Sequence, residues 1–367
     1  MPYSRQSPNK VITLSNSKFD RFPDDFNAKR NPERSDIEYC YLGLSGWRGG
    51  IATILSRSIA SILSESSSAP SKRSINFGAI LHYLGFLPVM GLELRRTYRR
   101  GPQPHMLEEE ARRAVHAEFG VNVDQLVEEA FHSLFLLEQH FKNAKSYSCQ
   151  IEFSRNGTLH FESEMMGRHF SVLLRAGILR VGSLALIDKA RKDKVLFGHA
   201  SSGQQCMLLM FLGLAGAMSD DALVCIDEPE ISLHPRWQSE FIGLLQSAFS
   251  SYRGCHFVIA THSPQIVAGL KSKNGFVSDL VRETLVASEE YAMRSADFQL
   301  TEVFHEPGFK NEYLIRILLT TLSKLSRGQD LSDEDHERLD SIGRMEDRLD
   351  AADPVLHLLN QIKTIGK

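Results

Sequence analysis

The 367-residue chain has a formal net charge of −3, with 24% charged and 42% hydrophobic residues. This composition suits one large or two ordinary globular domains with a sizeable core. It excludes a generally basic nucleic-acid coat, although a local basic patch fits inside a neutral total.

Five cysteines (Cys40, Cys149, Cys206, Cys225, Cys255) show no C-x-x-C spacing and fall mostly in apolar runs. Buried thiols in a reducing compartment are therefore expected rather than disulfides or zinc ligands. No apolar run reaches the roughly 20 residues that span a bilayer, and the start "MPYSRQSPNK" has no signal-peptide core. A cytoplasmic chain with no membrane partner is expected.

In chain order, residues 1–35 are polar and interrupted by Pro and Asn, which predicts an N-terminal arm. "IEYCYLGLS" predicts a buried strand and runs into the glycine-rich turn "GWRGGIAT". Ile51, Ile54, Leu55, Ile59, Ile62 and Leu63 then recur at helical spacing. "SESSSAPSKRS" predicts a loop, followed by a helix in "INFGAILHYLGFLP" and a strand in "VMGLELRRTYRR". Two amphipathic stretches between Met106 and Lys142 predict an inserted helical subdomain, placed over residues 95–146. "CQIEFSRNGTLHFES" predicts a hairpin turning at Asn156-Gly157. The expected organisation is an α/β core over 36–94 and 147–275, with a helical C-terminal region over 276–367.

Three stretches carry chemistry. In "ALVCIDEPEISLHP" an apolar strand delivers Asp227 and Glu228 at its C-terminal end. A Mg-nucleotide site needs one acid for the metal's water shell and another to orient and deprotonate the attacking water. The plain alternative is a buried strand ending in an acidic turn. "HFVIATHSPQIV" is a second strand with His262 at its end, where it could reach a γ-phosphate, or simply make a structural hydrogen bond. "SLHPRWQSEFIGLLQSAFSSY" supplies the crossover helix that a parallel sheet requires between them. In "ASSGQQCMLLMFLGLAGAM", Ser201, Ser202, Gly203 and Gln204 open an apolar helix. Small residues and free amides there make an anion site or an ordinary cap.

In this order and spacing the three stretches resemble the ATP-binding cassette (ABC) ATPases, a P-loop NTPase fold. "EPEISLHP" resembles the branch containing structural-maintenance-of-chromosomes and overcoming-lysogenization-defect (OLD) proteins, and anti-phage defence ATPases such as the Septu and retron-associated PtuA proteins. The resemblance spans roughly Ile37–Leu94 and Tyr147–Gly269. It implies that Asp227 assists Mg²⁺, Glu228 activates water and His262 senses the γ-phosphate. It also implies that two such domains pair head to tail, so that Ser201–Gln204 of one copy meet the nucleotide of the other. Neither Gln103 nor Gln139 sits in the context of the family's further glutamine. The tail "LTEVFHEPGFKNEYLIRILLTTLSKL" resembles regions that hold a separate effector, often an HNH nuclease; a plain helical cap fits as well.

"GWRGGIAT" takes the place of the phosphate loop G-x-x-x-x-G-K-[ST]. Gly46, Gly49 and Gly50 supply glycines and Thr53 the metal-side hydroxyl, but Ile51 replaces the second glycine and Ala52 the lysine. Losing that ammonium weakens the expected grip on ATP and Mg²⁺, on the scale of about 2–5 kcal/mol for a truncated buried charge pair. Three readings follow: an ATPase with an altered grip, a pseudo-ATPase scaffold, or a subunit that completes a partner's site. DNA or RNA contact is expected, if anywhere, at the basic segments "RRTYRR" and "KARKDK".

Overall fold

The computed structural model describes residues 7–17, 20–23, 37–43, 50–64, 77–97, 123–141, 144–154, 159–161, 164–280 and 283–365. The chain divides into two units, Met1–His234 with Leu244–Thr261, and Pro235–Gly243 with His262–Lys367.

The first unit begins with β1 (Lys10–Ser15), β2 (Glu38–Tyr41), α1 (Gly50–Leu63), α2 (Phe77–Tyr83) and β3 (Phe86–Arg96). It continues with α3 (Val123–His140), β4 (Ser146–Phe153), β5 (Leu159–Phe161), α4 (Glu164–Arg175), β6 (Leu179–Asp188) and β7 (Lys194–Leu196). Then come α5 (Ser202–Ala217), β8 (Ala222–Asp227), α6 (Pro235–Ala248), whose residues divide between the units, and β9 (His256–Ala260).

Four strands form a parallel sheet in the order β2-β1-β8-β9. The expectation of an arm over residues 1–35 is corrected here: β1 lies inside the sheet, with Ile12 and Leu14 essentially fully buried. The surrounding Pro and Asn residues obscured a short β-branched run, "KVITLS", that inserts between two other strands. Because all four strands run the same way, the ends at Ser15, Tyr41, Asp227 and Ala260 open on one edge. In open parallel sheets that edge is where ligands bind.

The other five strands form an antiparallel sheet, β5-β4-β3-β6-β7. The expected hairpin pairs β4 with β5 from Phe153↔Leu159 onward, while its Asn156-Gly157 turn falls outside the described residues. The insertion over 95–146 joins two neighbouring antiparallel strands, β3 and β4; its described helix, α3, packs on α4.

Helices α1 and α5 are in close contact. A Cβ built on Gly216 would lie 2.6 Å from the Ser58 Cα, and one on Gly213 would meet Leu42 and Ile54 at 3.4 and 3.6 Å. Ile54 pairs with residue 213 and Ser58 with residue 216, so the two helices run in the same direction. Glycine at 216 permits a backbone approach that any larger residue would prevent.

In the second unit α7 (Pro264–Gly269) precedes an antiparallel hairpin, β10 (Phe276–Asp279) and β11 (Thr284–Ala287). The region expected to be helical from residue 276 thus opens with strands, because "FVSD" and "TLVA" are short and β-branched. Helices α8 (Ser288–Tyr291), α9 (Ala296–Glu302), α10 (Glu312–Ser326), α11 (Asp333–Gly343) and α12 (Pro354–Ile365) follow. Leu314, Leu318, Ile342, Leu349, Val355, Leu359 and Ile362 form a core. Asn311, 2% exposed, organises the entry to α10: its Nδ2 donates to the Asp297 and Pro307 carbonyls and to Thr301 Oγ1, while its Oδ1 caps Leu314 N at 3.0 Å. Among the described residues no helix is long and apolar enough to cross a membrane.

Candidate functional site

The candidate site grows from the C-terminal edge of the parallel sheet. Strand β8 alternates buried Ala222, Val224 and Ile226 with half-buried Leu223, Cys225 and Asp227. Its near-continuous apolar run is what an inner parallel strand requires, and it presents Asp227 at the edge, in register with Ser15 of β1 and Ala260 of β9. Glu228 follows with φ at 45°, a left-handed backbone uncommon outside glycine. Its amide donates to the Ala260 carbonyl at 2.9 Å, which fixes the glutamate at the mouth of the edge. Backbone held in such a region costs about 1–3 kcal/mol and clusters at functional sites.

Beyond Glu228 the chain makes successive turns, with Ile231 N donating to the Glu228 carbonyl and Leu233 N to the Glu230 carbonyl. Ser232, also left-handed at φ 65°, hydrogen-bonds the Cys206 thiol of α5. The segment after the two acids is thereby joined to the start of α5. Burial pushes the Cys206 thiol up, partly opposed by Ser232, and burial alone pushes the Cys225 thiol up. Both shifts run opposite to the depressed thiol that marks a reactive cysteine.

The glycine-rich turn "GWRGGIAT" is only partly described: Gly46 and Gly49 lie outside the described residues, whereas Gly50 is the first residue of α1. Ile51, Ala52 and Thr53 occupy the first turn of that helix, with Ile51 39% exposed and Thr53 half-buried. Residue 51 is helical, so the β-branched Ile51 meets no glycine-only backbone there. Ala52 leaves no cation at the lysine position. Its carbonyl accepts from Ser56 Oγ at 2.6 Å, and that hydroxyl in turn accepts from Val181 N of β6.

Ser201 caps α5, its hydroxyl accepting from Gln204 N at 3.3 Å while Gln204 Oε1 accepts from Ser201 N at 3.0 Å. This is a reciprocal capping box. Gln204 Nε2 also donates to the Leu84 carbonyl at 2.9 Å, so that side chain ties the start of α5 to the residue after α2. Ser202, exposed, and Gly203, buried, present the first helical amides, which have no acceptor within the helix. Given the parallel contact with α1, α5 starts about seven residues, roughly 10 Å, before the level at which α1 begins. Its first two turns therefore precede the start of α1 along their shared direction.

His262 belongs to the second unit, whereas Asp227, Glu228, α1 and α5 belong to the first. The next residue, Ser263, caps α7 through Ile266 N at 3.3 Å and donates to Gln238 Oε1 at 2.7 Å. Among the described residues no group of three or more His, Cys, Asp or Glu side chains could hold a metal ion. Mg²⁺ that arrives with a nucleotide needs only one or two protein oxygens, with phosphates and water completing its octahedron. Asp227 and Thr53 fit that partial role.

Of the four arginines of "RRTYRR", Arg99 and Arg100 lie outside the described residues, whereas Arg95 and Arg96 are paired within the chain. Arg95 pairs with Glu93 at 3.1 Å, which holds the Glu93 carboxyl low, and Arg96 donates to the Tyr147 hydroxyl and to Glu138. Sequence reading missed β1 and the tie between Ser232 and Cys206. The alternating apolar "VITL" was a signal for the first, whereas nothing local marks the second.

Comparison with known proteins bears on this geometry. Residues 94–268 match the family described as "AAA domain, putative AbiEii toxin, Type IV TA system". Over 159 residues the chain is 22% identical to the "Retron Vc95 probable ATPase" of Vibrio cholerae serotype O1 biovar El Tor, covering 42% of this chain and 30% of that protein. Over 92 residues it is 26% identical to the "Retron Ec83 probable ATPase" of Escherichia coli, covering 25% and 16%. The aligned segments thus span less than a third of the relatives' own length. The parallel sheet and the flanking helices make this an α/β fold, and residues 94–268 are similar to that AAA family.

Proposed function

We propose that the chain is an ATPase subunit of a prokaryotic anti-phage defence complex, built like the ABC-type proteins of the structural-maintenance-of-chromosomes and OLD branch. The observation that carries this reading is the sheet edge: β8 ends in Asp227-Glu228, with Glu228 held at φ 45° by its bond to Ala260, on the edge where α1 also begins. The retron ATPase relatives support the defence setting.

Mg²⁺ supplies charge neutralisation on the nucleotide's phosphates when bound. Asp227 and Thr53 would hold it, through a carboxylate and a hydroxyl. Glu228 accepts the proton of the water that attacks the γ-phosphate, a role worth about 10²–10⁴-fold in rate. His262 takes the γ-phosphate-sensing role by its motif. The start of α5, with the amides of Ser202 and Gly203, suits contact with a nucleotide held by a second copy in a head-to-tail pair. Dimer closure would govern a separate effector, such as an HNH nuclease, held by the C-terminal helices. DNA or RNA contact falls to Arg191, Lys192 and Lys194, which are exposed beside β7.

The missing cation at Ala52 favours a second reading, a scaffold that dimerises and organises nucleic acid and effector without turnover. Titration with fluorescent ATP and Mg²⁺ separates the two, using wild type, Glu228→Gln and the double repair Ile51→Gly/Ala52→Lys. Wild-type hydrolysis that Glu228→Gln abolishes establishes the ATPase. Binding that appears only in the repaired variant establishes the scaffold.

A further inference from the structure

The turn between β6 and β7 displays Lys189, Arg191, Lys192 and Lys194, all exposed. Among the described residues none of the four is ion-paired with a carboxylate, whereas Arg95 and Arg96 of the same sheet are. Lys189 Nζ donates to the ring Nε2 of His82, at 2.7 Å, which fixes the ammonium without cancelling its charge. Like charges this close repel one another, and a loose loop would let them spread.

This turn holds them together. Asp188 Oδ1 accepts from Ala190 N at 2.9 Å and from Arg191 N at 2.7 Å. The Asp188 amide donates to the Asp193 carbonyl, its own carbonyl accepts from Lys192 N, and Lys192 takes the left-handed backbone at φ 62°. The Arg191 amide bond, then that of Ala190 and the charges of Arg191 and Lys192, keep the Asp188 carboxyl below its usual range against desolvation. That carboxylate is thereby occupied within the turn. The turn is also anchored to the unit: Lys189 N donates to the Gly85 carbonyl at 2.9 Å, next to the Leu84 carbonyl that Gln204 of α5 holds.

A preset cluster of cations suits a polyanion, and its composition narrows the choice. Residues 189–194 carry no aromatic side chain on which an unpaired base could stack. They carry no apolar side chain larger than Ala190 to enter a lipid layer. What they offer is charge and donors for phosphate oxygens. A nucleic-acid duplex presents one phosphate charge about every 1.7 Å along its axis, denser than an acidic peptide can.

We propose that the β6–β7 turn grips the backbone phosphates of a nucleic-acid duplex, DNA or RNA, through Lys189, Arg191, Lys192 and Lys194, irrespective of base sequence. This rests on the nucleic-acid contact proposed above and gives it a ligand form and a mode of recognition.

Fluorescence anisotropy of the full chain without nucleotide tests it, between about 50 and 200 mM salt. The probes are two unrelated DNA duplexes, an RNA duplex and a DNA single strand. The proteins are wild type, Arg191→Gln/Lys194→Gln, and Lys271→Gln/Lys273→Gln, which removes the same charge from another exposed segment. Wild type should bind both DNA duplexes alike and more tightly than the single strand; the RNA arm shows which duplex is preferred. Arg191→Gln/Lys194→Gln should make the slope of log affinity against log salt shallower by about 2. Its unfolding temperature should match wild type, and Lys271→Gln/Lys273→Gln should bind as wild type does. Unchanged binding in the first variant, equal losses in both, or preference for the single strand overturns this inference alone. Wild type that binds no nucleic acid, whether or not it binds poly-glutamate or phosphatidylserine vesicles, overturns the nucleic-acid contact and this inference with it.

Discussion

The amide of Glu228 donates to the carbonyl of Ala260 at 2.9 Å while its own φ stands at 45°. The ladder between β8 and β9 is thereby extended one step past Asp227, at the expense of backbone comfort in the residue proposed above to accept a proton. Glycine adopts that backbone without strain. Glu228→Gly should therefore leave stability unchanged or raise it by about 1 kcal/mol, while hydrolysis falls by about 10²–10⁴-fold. Urea denaturation alongside a phosphate-release assay checks both. A loss of stability with turnover intact contradicts the assignment.

Gly216 and Gly243 should respond oppositely to alanine. At Gly216 the added Cβ meets the Ser58 backbone at 2.6 Å, whereas at Gly243, in α6, nothing lies within 4 Å. Gly216→Ala should destabilise by about 1–3 kcal/mol through overpacking. Gly243→Ala should stabilise by about 0.5–1 kcal/mol through reduced chain entropy. Paired denaturation curves decide, and similar shifts would mean that α1 and α5 do not touch there.

Acid should act on the start of α11. The Lys324 ammonium, with Ser332, lowers the Asp335 carboxyl to about 2. A depressed carboxylate adds stability that is complete above its unfolded value, near 4, and disappears as pH falls through about 2. Asp335→Asn should lower the unfolding temperature at pH 7, with the gap to wild type closing toward pH 2. Circular dichroism melts across that range test this.

His169 should weaken the first unit on mild acidification. Burial lowers its imidazole below the usual value, helped by His132, Arg168 and His140. The unfolded chain then takes up a proton before the folded one, so stability is full above about pH 6.5 and falls as pH drops below it. Its Nδ1 lies 3.0 Å from Ser133 Oγ. His169→Gln should flatten the change in urea midpoint between pH 7.5 and 5.5; an unchanged slope would assign that dependence elsewhere.

Local patterns made much of this legible. The run "LVCID" could only be an inner strand ending in an acid, and "SSGQQ" before an apolar stretch could only open a helix. What stayed hidden depended on partners far along the chain. Nothing in "KVITLS" says that it pairs with β8 as well as β2. Nor does "SSGQQ" reveal that Gln204 ties back to Leu84. The missing lysine was plain in the sequence, and so was the helix that begins beside it, since Ile51 opens the helical spacing.

The placement of β1 also bears on how the protein is made. Lys10 pairs with Ala222, roughly 200 residues downstream, so the flank of β1 that faces β8 must wait for that much more chain to be made. Long-range parallel pairing forms slowly, and unpaired strand edges in intermediates are prone to aggregate. Slower synthesis at lower temperature should raise the soluble yield, and fragments ending before β8 should fail to fold.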